Sequence, residues 1–307
     1  MMLHFFNKEA IYYPAKDAIF YSADVHGNQI TGERLRCISR IINHSSTGEG
    51  VLTVVTTMDG IADRLIPVER FKEAVITLDY SSEIEPEKLA KKLVAMGFVR
   101  TGMVEDKGQF AIRGGIIDIF SYTDEAPVRI ELWDTEVDSI RMFDVESQRS
   151  IERLQSYSIF PATEYIFTED ELKNGLYNIK EECDRQLECF DYGKRKRTKE
   201  QIEAGNNLNK LVADVERTGN YEKFTDTLVA DTVGLAEYFP EENTLVVLDE
   251  PNRLKECNEL TLYEYNESMK NRLAAGYVLP SQTNKVKAMN EIISDLRNNK
   301  KAYINDT

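Results

Sequence analysis

The stretch Phe110–Ser150, FAIRGGIIDIFSYTDEAPVRIELWDTEVDSIRMFDVESQRS, decides how the chain is read. It holds three runs rich in β-branched and aromatic residues, Phe110–Phe120, Ala126–Trp133 and Val137–Phe143, joined by polar connections with Pro, Thr and Asp. Runs of this kind predict an antiparallel meander. Side chains alternate between faces along a strand, so Val128, Ile130 and Leu132 fall on one face and Arg129, Glu131 and Trp133 on the other. The only Trp of the chain therefore sits on the polar face, beside an arginine. That pairing is the composition that interface hot spots favour. The alternative is a second layer over Trp133, with the arginine stem lying along it and its head in water. Gly114 and Gly115, inside the first run, call for a bulge or a close backbone approach. A bulge there would re-aim Arg113 toward the face of Arg129 and Trp133.

The strings RGGIIDIF (113–120), PVRIELWDTEVDSIR (127–141) and FDVESQRS (143–150) resemble the signature of the bacterial transcription-repair coupling factors (the Mfd family) and, more distantly, of the excision nuclease subunit UvrB. In both families this segment belongs to a small α/β domain that docks onto UvrA. The resemblance places the UvrA contacts on Arg113, Arg129 and Trp133, where Trp stands in for the family's more usual Phe. It also implies a C-terminal domain that covers this face in the full-length protein. Strand alternation alone had already singled out Arg129 and Trp133.

Length and composition bound the rest. At 307 residues the chain has room for two domains or three small ones. Its hydrophobic content of 42% is ordinary, and no run approaches the ~20 apolar residues of a membrane span. No secretory signal is visible, so a cytoplasmic location and no membrane partner are expected. Four cysteines, of which only Cys183 and Cys189 lie close together, match no metal spacing and read as free thiols. With 53 acidic against 38 basic residues the net charge is −15, the wrong sign for a general nucleic-acid binder. The acidity extends into the interaction segment, where 74–160 hold 16 Asp and Glu against 10 Lys and Arg.

Taken in order, residues 1–73 read as the C-terminal half of a degenerate RecA-like, P-loop-NTPase-like subdomain. His26-Gly27-Asn28 looks like a turn, Gly32–Ile42 like a helix, Gly50–Thr57 like a buried parallel strand and Met58–Leu65 like a helix. By comparison with the family, the strand and helix that should precede this half are missing, which points to a shortened N-terminus. Residues 74–160 read as the UvrB-like UvrA-interaction domain: a strand at Ala74–Leu78, a helix with Ser82 as N-cap, Pro86 in its first turn and Gly97 as its stop, then the antiparallel sheet. Residues 161–307 read as the mainly helical completion of the RecA-like subdomain. Thr168 and Glu171 form a capping box. The basic run Lys194–Lys199 reads as a solvated connection between helices. Thr244–Asp249 is a strand whose Asp249-Glu250-Pro251 end reads as a turn opening a helix.

Nothing in the sequence assembles a catalytic site. A phosphate loop needs G-x-x-x-x-G-K-[ST], and Gly193-Lys194 has Glu188 where the first glycine belongs. Without that loop, Asp249 and Glu250 have no Mg²⁺-bound phosphate to serve. Three isolated histidines make no metal site. UvrB's DNA-gripping β-hairpin has no counterpart in 12–34, so the likeness is to the coupling factor. The leading expectation is a repair-recruitment module, not an enzyme, that holds no cofactor. ATP, Mg²⁺, RNA polymerase and double-stranded DNA belong to the motor and polymerase-binding domains of the full-length family member. Two other readings stay open: a UvrB-related module that binds DNA or nucleotide, and a structural or autoinhibitory domain packed on a neighbour.

Overall fold

The computed structural model describes residues 10–16, 25–48, 50–191, 196–221, 224–229 and 231–304. Along these residues run β1 (Ala10–Tyr13), α1 (Val25–Thr47), β2 (Thr53–Thr56), α2 (Met58–Ile61), α3 (Val68–Ala74), β3 (Ile76–Asp79) and α4 (Pro86–Ala95). The central sheet follows as β4 (Val99–Arg100), β5 (Gln109–Arg113), β6 (Ile116–Phe120), β7 (Val128–Trp133), β8 (Glu136–Phe143) and β9 (Ser150–Arg153), and then β10 (Ser156–Ile159). The rest comprises α5 (Glu169–Phe190), α6 (Lys199–Thr218), α7 (Thr225–Leu228), β11 (Leu245–Asp249), α8 (Pro251–Ala274), α9 (Met289–Asp295) and β12 (Lys300–Ile304). The fold is mixed α/β.

Packing groups the described residues into two compact units. One takes those of 1–14, 23–55 and 67–166, the other those of 15–22, 56–66 and 167–307. In the first unit β4 to β9 form a six-stranded sheet in sequence order, antiparallel throughout except for the parallel pair β4–β5. The expected meander is there, with one correction. Phe110–Phe120 is not a single bulged strand but the hairpin β5–β6, in which Arg113 pairs with Ile116 across Gly114-Gly115. Gly114 has φ 61°, the left-handed first position of a two-residue hairpin turn, which glycine adopts without strain. The close backbone approach does occur: a Cβ on Gly115 would lie 2.9 Å from the Leu132 carbonyl oxygen.

One face of this sheet carries Phe110, Ile117, Ile119, Val128, Ile130 and Ile140, which pack with Leu89, Ala90 and Leu93 of α4 and with Leu78 and Tyr157 of the β3–β10 pair. The helix α4 stops where Gly97 turns the chain at φ 88°, as the sequence predicts. Its N-cap is Glu85, not Ser82. The Ser82 hydroxyl is already engaged with Asp79, donating to its carboxylate at 3.1 Å and accepting from its amide at 3.0 Å.

In the same unit, α1 is longer than expected. It begins at Val25, so His26-Gly27-Asn28 is helical backbone, not a turn. Local preferences of Gly and Asn yield to the packing of Leu35, Ile38, Ile41 and Ile42 further along the same helix. Arg34 is fully buried; its guanidinium donates to both Glu164 oxygens at 2.8 and 3.1 Å and to the Pro14 carbonyl at 2.9 Å.

In the second unit the capping box of Thr168 and Glu171 opens α5 as expected. Lys194 and Arg195, part of the basic run, lie outside the described residues. In the same run Arg197 pairs with Asp191 at 2.5 Å, and Thr198 caps α6 through Gln201. The predicted turn into α8 is present, with Glu250 as N-cap at φ 50° and Pro251 in the first turn. Among the described residues no helix is long and apolar enough to cross a membrane.

Candidate functional site

The face of the sheet away from α4 is where the sequence placed its candidates. Its centre is Asp118 on β6, a carboxylate in the apolar run IIDIF that is only 1% exposed. Isolated burial of a carboxylate is costly, so its partners define the site. Arg129 of β7 donates from Nε to Oδ1 at 2.6 Å and from Nη2 to Oδ2 at 2.9 Å. Arg113, at the end of β5, donates from Nη2 to Oδ2 at 2.5 Å. One carboxylate thus holds both arginines. The Arg129 Nη2 also reaches Gln148 Oε1 at 2.8 Å, and its guanidinium stacks 4.3 Å from the Phe143 ring centre. The hydrogen bonds to Asp118 raise the Arg129 guanidinium above its ordinary value, against the opposing effect of burial.

Strand pairing explains why these groups meet. Asp118 lies opposite Arg129, and Ile116 lies opposite both Arg113 and Glu131, so Arg113, Asp118, Arg129 and Glu131 share a face. The two-residue Gly turn, not a bulge, brings Arg113 to that face. A register shift between β7 and β8 near Leu132 leaves Leu132 opposite the buried Val137 and Trp133 opposite Glu136, which keeps Trp133 on the arginine face. Glu131 pairs with Arg141 and accepts from the Ser139 hydroxyl at 2.8 Å.

Trp133 stands at the tip of β7 and is 78% exposed, the most exposed large hydrophobic among the described residues. Its platform is firm. The turn Asp134-Thr135, with Asp134 at φ 56°, is tied to the loop before α4 by the Ile84 amide donating to the Thr135 carbonyl at 2.7 Å. The three residues singled out in the sequence differ in state. Arg129 is largely buried (side chain 13% exposed), Arg113 is part-exposed (40%), and Trp133 projects into solvent. Sequence reasoning missed Asp118 and Gln148, which hold the arginines. A lone carboxylate inside an apolar strand, three residues after a Gly-Gly turn, was the available signal for the first.

A family model of the UvrB interaction domain matches residues 76–165, the segment running from β3 past β10. That segment is similar to the UvrB interaction domain family. The chain as a whole is similar to transcription-repair-coupling factors. It is 35% identical to that of Bacillus subtilis (strain 168) over 282 residues, 89% of this chain and 22% of the relative. It is 31% identical to that of Staphylococcus aureus (strain Mu50) over 276 residues, 90% of this chain and 23% of the relative. With that of Staphylococcus epidermidis (strain ATCC 12228) it shares 32% identity over 270 residues, 88% and 22%. The chain thus spans less than a quarter of the length of these relatives. Every member of the Asp118 cluster, and Trp133, lies inside the matched segment 76–165.

Proposed function

We propose that this chain is a docking module of transcription-coupled repair, in which the interaction domain recruits UvrA through Arg113, Arg129 and Trp133. The observation that carries the reading is the exposed Trp133 beside two arginines pinned by one buried carboxylate. An aromatic side chain with few rotamers, on an anchored turn, loses little entropy on binding, and a nearby guanidinium adds directional donors. Because Arg129 spends Nε and Nη2 inside the chain, it acts mainly by orienting the face, while Arg113 and Trp133 make the outward contacts.

The remaining assignments rest on the family likeness. The strand and helix units outside 76–165 are degenerate RecA-like subdomains that frame the domain and do not hydrolyse nucleotide. Displacement of stalled RNA polymerase, translocation on double-stranded DNA and the use of ATP with Mg²⁺ belong to other parts of the coupling factor. The module is cytoplasmic, and in the whole protein a C-terminal domain covers the same face until repair is called.

Surface plasmon resonance against UvrA tests this. Wild type should bind, and Arg113→Ala and Trp133→Ala should each cost about 1–3 kcal/mol while leaving circular dichroism unchanged. Equal binding by wild type and Trp133→Ala would refute the proposal.

A further inference from the structure

The arginine face does not end at Arg129. The pairing partners across β6, β7, β8 and β9 form one row, Asp118, Arg129, Arg141, Arg153. Residues directly opposite one another point to the same side, so three arginines stand side by side over two strand spacings, roughly 10 Å. Like charges opposite each other destabilise a sheet unless counter-charges intervene. Two of the three are answered within the chain: Arg129 by Asp118, and Arg141 by Glu131. The third is not. Arg153 is exposed on the edge strand and has no ion-pair partner among the described residues. Nearby acids are turned elsewhere. Glu152 pairs with Met142 and so faces the opposite side, and the Asp144 carboxylate is engaged with the Ser147 amide and hydroxyl at 2.8 and 2.6 Å.

We infer that this row is a second binding element, in which Arg153, with Arg141 behind it, receives carboxylates of the protein partner. The inference rests on the docking reading above and extends its footprint from the Trp133 tip to the free edge at β9. Three observations favour a carboxylate-bearing protein over a nucleic acid. The row is short, it is continuous with the Trp133 and Arg113 face, and the chain around it carries a net charge of −15, which repels a polyanion at long range. A few local carboxylates, paired in a desolvated interface, are the ligand that such an isolated positive stripe fits.

The test uses the whole chain and UvrA at several salt concentrations, with Arg153→Glu, Trp133→Ala and Lys92→Glu beside wild type. Lys92 is exposed on α4, which packs on the sheet's opposite face. Arg153→Glu should weaken UvrA binding about tenfold or more and flatten its salt dependence, while Lys92→Glu should bind as wild type does. The melting temperature of free Arg153→Glu should hold or rise, because Glu opposite Arg141 replaces repulsion with attraction. That combination separates a lost contact from a lost fold. Wild-type affinity in Arg153→Glu together with loss in Trp133→Ala would overturn this inference and leave the docking reading standing. A wild-type chain that does not bind UvrA would overturn both. Binding of a DNA duplex that Arg153→Glu alone abolishes, with UvrA affinity intact, would assign the row to phosphates and also overturn it.

Discussion

Replacing Asp118 with Asn removes one charge and almost no volume, yet it should destabilise the segment 76–165 strongly. The carboxylate is 1% exposed and accepts three hydrogen bonds from two guanidinium groups, at 2.5, 2.6 and 2.9 Å. Breaking a buried ion pair by neutralising one partner costs about 3–5 kcal/mol, since the other charge stays behind in a poor solvent. Not all of that applies here. The Arg113 side chain is 40% exposed, so water compensates most of its loss and its share falls within about 0–1 kcal/mol. The Arg129 side chain is 13% exposed, and an Asn amide can present either an oxygen or a nitrogen to each donor, but not two oxygens. The expected loss is about 3 kcal/mol. For a domain of about 90 residues that lowers Tm by about 12–24 °C. Differential scanning calorimetry of wild type and Asp118→Asn measures it. A loss below about 1 kcal/mol, with both arginines still in place in the variant's structure, would refute the view that one carboxylate organises this face.

Other consequences are smaller and as readily checked. Trp133→Ala should change stability by no more than about 0.5 kcal/mol, because the side chain is 78% exposed, and acrylamide should quench the free chain's tryptophan emission efficiently. Burial raises the Asp124 carboxyl above the ordinary range, opposed by its hydrogen bond from Tyr157 at 2.6 Å. The folded state therefore holds that proton more tightly than the unfolded state, and its stabilising contribution, complete below the unfolded value of about 4, is lost as pH rises through the folded value. The Tm of wild type relative to Asp124→Asn should accordingly fall as pH rises above about 4; a difference that is flat or rises would contradict this. Among the thiols, Cys189 and Cys257 are exposed and should react promptly with a disulfide reagent. Cys183 and Cys37 are buried, the latter pushed up to about 12 by burial, and both should wait for unfolding; fast reaction of all four would show an opened core.

Much of the face could be read from sequence because strand geometry is local. Alternation along Val128–Trp133 places Arg129, Glu131 and Trp133 together, and the structure agrees even though a register shift falls within that hairpin. Helix ends were legible where one residue decides them, as at Gly97, Thr168 and Pro251. What escaped depends on pairing between distant residues. Whether Gly114-Gly115 makes a bulge or a turn settles whether Asp118 faces Arg113, and propensity alone does not choose. Ser82 is a good capping residue, but its hydroxyl is claimed by Asp79 instead. The Arg34–Glu164 pair joins residues 130 positions apart, and β11 finds β12 as its parallel partner only across α8 and α9. No short window of sequence contains either fact.

Hydrogen exchange on the whole chain, with and without UvrA, tests the central claim most directly. The account predicts that added UvrA slows exchange at the two exposed turns of the arginine face, Gly114-Gly115 and Asp134-Thr135, and in the strands that flank them. Protection confined to residues 167–304, or none at a UvrA concentration that saturates binding, would contradict it.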